Sequence, residues 1–317
     1  NINLSLSNVC GARCIFCPKI RGMDDQIKVM PIDYAKKIAD EIAGKKSKTT
    51  RNVRKMNVGE NGDALLNPEF INILRYIKLK NPNVKISLFC NFQNLTKEIS
   101  EIILKEKLVN FIGVNIDGHD SDSYFRVKKI PLDVVMKNLM DFLQVRNKIG
   151  SIVTMQVFVL TYASYVKTIY KKIGKLPMYI DQQCNIENLE DDFPIITRKL
   201  ESLLNPKIDL ITRSGIYLWA ERENINLTKP GDKSFNCPII NRVMNECFIA
   251  PNGDWYACCW DELQNIVFGN VIEKSIDEVY HSDSRIKFLN LLRQQKFDQL
   301  PYPCNKVESC QPLVGEL

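Results

Sequence analysis

Apolar positions along the first two thirds of the chain switch repeatedly between a period of two and a spacing of three and four. Residues 2–6 alternate as a strand, and Ala35, Ile38, Ala39 and Ile42 then recur at helical spacing behind Met30-Pro31-Ile32-Asp33, a helix opening. The same rhythm predicts strands over 53–58, 84–89, 111–116, 152–160 and 178–180, with helices over 68–79, 99–104 and 132–143 between them. Strands alternating with helices imply a parallel sheet of βαβ units. Six such repeats over about 210 residues fit an open or partial (β/α)6, TIM-like barrel better than a doubly wound sheet. Beyond about residue 215 the rhythm stops and proline, glycine and cysteine become denser, so the chain divides into 1–215 and a compact unit over 216–317, with 226–236 reading as a connector.

A barrel of this kind gathers reactive groups at the carboxyl ends of its strands. Four polar signals fall at such ends: a cysteine loop after the first strand, Gly62-Asp63 after the second, Cys90-Asn91 after the third and Asn115-Ile116-Asp117-Gly118 after the fourth.

Composition narrows the class. Of 317 residues 45% are hydrophobic and 25% charged, and no apolar run approaches the roughly 18 residues that a membrane span requires. The net charge of +6 is spread along the chain without a basic block or an aromatic ladder, so neither nucleic acid nor membrane is expected as a partner. A mildly basic face suits an acidic electron donor of the flavodoxin or ferredoxin kind; the plain alternative is a solvated surface. Eleven cysteines, an odd number, with no signal peptide in the sequence, fit metal ligation in a reducing compartment and hence a cytoplasmic location.

Cys10, Cys14 and Cys17 in NVCGARCIFCPK have the spacing C-x3-C-x2-C. Three thiolates can hold a four-iron cluster while leaving one iron open to a substrate or cofactor, whereas a structural site is normally closed by four protein ligands. The plain alternative is a zinc knuckle. With Phe16 before the last cysteine, the run resembles the signature of radical S-adenosylmethionine (radical SAM) enzymes. That resemblance implies a four-iron, four-sulfur (4Fe-4S) cluster whose open iron chelates S-adenosylmethionine and releases a 5′-deoxyadenosyl radical. It covers most of the first 215 residues.

Carried over residue by residue, the resemblance makes Gly62 and Asp63 in VGENGDALLNP the counterpart of the family's Gly-Glu, whose acid receives the methionine amino group. Asp63 is one methylene shorter, and Glu60 could make that contact instead. Asn91 in FCNF and Asn115 in VNIDG match ribose- or carboxylate-contacting positions. Arg126 in DSDSYFRVKK resembles the arginine that many relatives place against the carboxylate, a suitable partner for a guanidinium fork. Gln156 is a further candidate ribose contact, or an interior polar residue bonded to backbone.

Cys237 is followed by 15 residues, Gly253, four residues and Cys258, which resembles the opening of a SPASM or twitch domain, the auxiliary-cluster module of many radical SAM enzymes. Phe268-Gly269-Asn270-Val271 and the run 275–280 match its continuation. A full SPASM domain holds two clusters, but Pro301 and Val314 stand where two of its thiols would be, and Val307 departs from the twitch ending. The simplest assignment is one auxiliary 4Fe-4S cluster held by Cys237, Cys258, Cys304 and Cys310, with Cys259 or Cys247 as substitutes.

The resemblance then implies a two-electron oxidation, with the auxiliary cluster taking the substrate radical's electron. The chain starts almost at its first strand, without an amino-terminal peptide-recognition domain, so a small sugar- or aminocyclitol-like substrate is expected rather than a peptide. Cys184 is a candidate hydrogen-donating thiol for the alternative, an epimerising or cross-linking peptide maturase. Asp181, Gln183, Arg213, Tyr217, Trp219 and Glu221 are unranked candidates for substrate contact or base. A structural metal-binding protein is the non-enzyme reading.

Overall fold

The computed structural model describes residues 1–17, 29–45, 47–59, 61–176, 180, 184–214, 216–217, 237, 239–261, 263–305 and 312–313. Six parallel strands lie side by side in chain order: β1 (Ile2–Leu4), β2 (Lys55–Val58), β3 (Lys85–Phe89), β4 (Phe111–Asn115), β5 (Thr154–Val159) and β6 (Asp209–Arg213). Helices α1 (Ile32–Gly44), α2 (Lys48–Arg51), α3 (Phe70–Lys80), α4 (Lys97–Lys105), α5 (Ser121–Lys128), α6 (Leu132–Ile149), α7 (Tyr162–Ile173) and α8 (Phe193–Glu201) connect them. The partial barrel read from the alternation is therefore the observed architecture.

Alternation decides which side of each strand faces the helices. In β5, Met155, Val157 and Val159 are buried, while Thr154, Gln156 and Phe158 face the other side half-buried. Local chemistry starts the helices at the strand ends. Thr96 and Thr161 accept from Ile99 and Ser164 N–H, and Asp120 and Ser123 form a reciprocal capping box at α5.

The sixth strand is not the one that the sequence predicts. Positions 178 and 179 lie outside the described residues, Ile180 belongs to no strand, and the partner of β5 is Asp209–Arg213. Its mixed run Asp-Leu-Ile-Thr-Arg lacks the apolar alternation that marks the other strands, because the sheet's last parallel strand is covered on fewer sides than the central ones. What fixes it is an ion pair at the strand's start: Arg146 on α6 grips Asp209 through two bonds of 2.6 Å, with exposures of 1% and 0%, so both charges are out of water. Arg146 also donates to Val153 O, and Asp209 accepts from the Met155 and Asn205 N–H groups.

The carboxyl-terminal strands extend the same sheet. After β7 (Ile216–Tyr217) and α9 (Ile240–Asn245), β8 (Cys247–Ile249) pairs in parallel with β1, placing Cys247 opposite Ile2. It is followed by antiparallel β9 (Asp254–Tyr256) and β10 (Val267–Asn270). The result is one nine-stranded sheet in the order β10-β9-β8-β1-β2-β3-β4-β5-β6, while β11 (Pro312–Leu313) pairs with β7. Helices α10 (Ile276–Tyr280) and α11 (Asp283–Arg293) follow β10. The seam is polar: Glu246 accepts from Asn3 at 2.9 Å, and Asn57 donates to Asn3 at 2.6 Å. Thr49 donates to Asp277, and Glu41 accepts from Ile276 N–H, fastening α10 to the α1–α2 corner. The expected division at residue 215 and the connector 226–236 lie outside the described residues.

Replacing Arg146 by Met leaves Asp209 buried without its partner, and a loss of about 3–5 kcal/mol is expected. Urea unfolding under anaerobic conditions checks it, and R146M/D209L should recover most of that loss because no uncompensated charge remains.

Candidate metal centre and cofactor site

The cysteine loop leaves β1 at its carboxyl end. Beyond Ser7 it has no strand or helix of its own, so its backbone groups must be satisfied by neighbours. Val9 O accepts from Asp63 N–H at 2.8 Å, Arg13 N–H donates to Lys128 O at 3.0 Å, and Ile15 N–H donates to Val127 O at 2.9 Å. Val127 and Lys128 close α5, so these are carbonyls that a helix end leaves without an internal partner. Two glycines permit the approach from β2. Gly59 (φ +87) lies against Phe89 O, and Gly62 (φ +88) lies so close to Ser7 and Asn8 that a Cβ would stand 2.4 Å from Ser7 O.

Cys10, Cys14 and Cys17 are all half-buried on this loop, and Cys17 N–H donates to Cys14 O. Burial raises the Cys14 thiol above its ordinary range, with Lys128 pulling the other way. The loop after β3 wraps the other side. Asn91 Nδ2 reaches Cys10 Sγ at 3.7 Å, and Gln93 Oε1 fills the space where a Gly11 Cβ would stand. Among the described residues no three Cys, His, Asp or Glu side chains converge as a metal-ion site. The donor chemistry fits an iron-sulfur cluster: three soft thiols at close spacing on one loop pinned at several backbone points, with an amide donor toward one sulfur.

The remaining candidates lie around that loop in distinct settings. Asp63 is 1% exposed, and both its oxygens are engaged: Oδ1 accepts Leu65 N–H at 3.1 Å and Oδ2 accepts Asn94 Nδ2 at 2.7 Å. Burial raises its pKa, against those two bonds. In this arrangement it caps a turn and ties the β2 and β3 loops together. Asn115 ends β4 half-buried, with no side-chain partner among the described residues. Arg126 is exposed on α5, its guanidinium 5.1 Å from the centre of the Tyr162 ring. Gln156 donates to Thr212 at 2.9 Å. Phe16 meets Tyr165 edge to face at 6.0 Å and belongs with Ile15, Val127, Leu160 and Cys184 in one apolar group. Glu60, Asp181, Gln183, Trp219 and Glu221 lie outside the described residues, as does the Tyr217 side chain. Arg213, at the end of β6, is engaged by Asp191 at 2.6 Å and stacks on Phe193 at 3.8 Å.

Sequence reasoning missed Lys128, which is paired with Asp117 at 2.9 Å behind the loop. The signal was present: Tyr124, Val127 and Lys128 fall at helical spacing on one buried face of α5.

The second thiol group is arranged around β8 and β9. Cys258 is buried just after β9, while Cys237, Cys259 and Cys304 are half-buried. Burial raises the Cys237 thiol. Cys259 accepts from Arg242 Nη1 at 3.2 Å. Cys247 lies within β8 against β1, its thiol pushed up to about 12 by burial, which makes it a core residue of the seam. Cys310 lies outside the described residues.

A parallel partial barrel with a three-thiol loop at its first strand end, carrying a second cysteine-rich unit on the same sheet, defines an iron-sulfur enzyme of the radical-generating class. The radical SAM superfamily model matches residues 4–168, and the SPASM iron-sulfur cluster-binding domain matches residues 237–311. The chain belongs to the radical SAM superfamily and to its SPASM subgroup. Its cofactors are accordingly a 4Fe-4S cluster, S-adenosylmethionine and an auxiliary iron-sulfur cluster. Among solved structures, BtrN in complex with AdoMet and 2-DOIA is similar over 98% of this chain and 91% of that one, at 12% identity and a TM-score of 0.55. Native anSMEcpe with bound AdoMet is similar over 98% and 89%, at 12% identity and a TM-score of 0.60. Streptococcus suis SuiB is similar over 89% of this chain and 65% of that one, at 15% identity and a TM-score of 0.55. At such identities these likenesses concern the fold. No curated protein sequence matches the chain.

Replacing Gly62 by Ala is expected to remove iron from the amino-terminal site, because the new Cβ meets the Ser7–Asn8 backbone and φ +88 disfavours any side chain. Gly174→Ala is the control: its φ is also positive, +75, but the added Cβ meets nothing within 4 Å. It should cost about 1–2 kcal/mol of stability and leave iron content unchanged. Iron per chain, read beside the unfolding midpoint, separates the two.

Proposed function

We infer that the protein removes two hydrogens from a small sugar- or aminocyclitol-like molecule, with the auxiliary cluster receiving the electron. The observation that supports this most is the shared sheet: β1, which leads into the triad loop, is hydrogen-bonded to β8, and Cys258 follows β9 on the next strand. β9 runs antiparallel to β8 and β1, so Cys258 leaves it toward the strand-start end, and the two thiol groups are linked through one continuous hydrogen-bonded sheet.

In this reading Cys10, Cys14 and Cys17 hold the first cluster, and Cys237, Cys258, Cys304 and Cys310 or Cys259 hold the second. The bound cluster and S-adenosylmethionine together supply a 5′-deoxyadenosyl radical able to take an unactivated hydrogen atom from substrate. Asn115, at the end of β4 and without a side-chain partner among the described residues, supplies amide donors and an acceptor for the ribose or carboxylate. Arg126, oriented by stacking on Tyr162, offers its fork to the carboxylate, and Asn91, besides its donor toward Cys10, lies near the ribose. Phe16 and its apolar group shield this side from water. Asp63 positions the loops through Leu65 and Asn94, and Gly62 gives the backbone its approach. Gln156 holds Thr212 across the β5–β6 step. Hydrogen-atom loss followed by loss of a proton to a base and an electron to the auxiliary cluster balances as a net two-electron oxidation.

The small-molecule class is supported by the end-to-end match to the BtrN fold, solved with AdoMet and 2-DOIA. A second reading, a peptide maturase, is favoured by the equally complete match to anSMEcpe, which was also solved with a Cp18Cys peptide. There Cys184, packed in the apolar group beside Phe16, is the candidate hydrogen donor. No helix among the described residues is long and apolar enough to cross a membrane. A cytoplasmic setting with a flavodoxin- or ferredoxin-type donor completes the proposal.

Anaerobic turnover with candidate aminocyclitols and sugars should yield one 5′-deoxyadenosine per product lighter by two hydrogens, read by mass spectrometry. A product of unchanged mass that takes up solvent deuterium, or turnover of peptides alone, would contradict the dehydrogenase reading.

A further inference from the structure

Lys128 and Asp117 form an ion pair of 2.9 Å with side-chain exposures of 5% and 0%. Two charges this deeply buried cost desolvation, and apolar residues of similar volume often serve stability as well or better. The pair is also tightly oriented. Asp117 Oδ1 accepts the Leu160 N–H at 2.7 Å at the end of β5, leaving Oδ2 for the ammonium. Lys128 in turn stands with Nζ 5.3 Å from the centre of the ring of Phe16, the residue before Cys17, and its own carbonyl receives the N–H of Arg13, the residue before Cys14. The ammonium thus lies on the side of the cysteine loop.

We propose that the Lys128–Asp117 pair is a positioning dipole that sets the reduction potential of the cluster held by Cys10, Cys14 and Cys17. Reduction adds one electron to a centre already surrounded by thiolates, so a nearby desolvated cation stabilises the reduced form, and the carboxylate behind it tempers that effect. The inference rests on the assignment of the cluster to these three cysteines. It adds an electrostatic role for two residues outside the thiol triad.

The test is a dithionite titration of the reconstituted protein, followed by electron paramagnetic resonance through the signal that changes when S-adenosylmethionine is added. That change separates this cluster from the auxiliary one. Lys128→Met should lower the reduced-to-oxidised ratio at a fixed potential about tenfold, equivalent to about 59 mV for a one-electron couple. Asp117→Asn should move the potential the opposite way, and Lys128→Arg should hold the wild-type value. A purely structural pair would give no shift, or shifts of one sign in both variants, and either result overturns the proposal. If Lys128→Met takes up no iron, the sign in Asp117→Asn decides. If neither variant takes up iron, the pair is structural and the proposal falls. A wild-type protein without any S-adenosylmethionine-responsive signal would instead defeat the cluster assignment itself.

Discussion

The free carbonyls at the end of α5 hold the reactive part of this molecule in place. A helix leaves its last carbonyls without internal donors, and the cysteine loop has donors without strand or helix partners. Joining Val127 O to Ile15 N–H and Lys128 O to Arg13 N–H satisfies both deficits at once. It also fixes where Cys10, Cys14 and Cys17 stand relative to the ends of β4 and β5, because α5 leaves the end of β4. The Asp63–Val9 bond and the glycine approaches from β2 complete the clamp on the other flank. A three-thiol loop held only by its metal would depend on the metal for its shape. Here the barrel supplies the shape and the thiols supply the chemistry.

The same economy governs the carboxyl-terminal unit. Its strand β8 joins the barrel's own sheet beside β1, where an unpaired edge would otherwise lie open. The Glu246–Asn3–Asn57 chain carries polar bonding across that seam, and Cys247 fills it from within as a buried thiol. Arg285 closes the outer side, stacked 4.1 Å from the Tyr280 ring and donating to Met244 O. Cys258 and the loop of Cys10, Cys14 and Cys17 consequently both follow strands of one sheet.

Strands with one buried face were legible in the sequence, because Met155, Val157 and Val159 alternate plainly, and so was the thiol spacing, which needs no structure to read. The sixth strand was not, since Asp209–Arg213 carries no apolar alternation and is specified by a distant arginine on α6. Lys128 was passed over because a lysine in a Lys-Lys run reads as surface; only the buried face shared with Tyr124 and Val127 distinguishes it from Lys129. Asp63 was expected to face the cofactor from its place in a motif. Its carboxylate's bonds to Leu65 N–H and Asn94 Nδ2 are a matter of loop packing that spacing does not encode. Chemistry written in neighbouring residues was readable, and chemistry assembled by tertiary contact was not.

The central claim is that the clamped loop holds a cluster with one iron open to S-adenosylmethionine. The most direct measurement is electron-nuclear double resonance on the reduced Cys237→Ala/Cys258→Ala protein, with S-adenosylmethionine labelled with nitrogen-15 at the amino group and oxygen-17 at the carboxylate. Strong coupling of both labels to a cluster that disappears in Cys14→Ala is the predicted result. A cluster that shows no coupling to either label, or that survives loss of Cys14, would contradict the account.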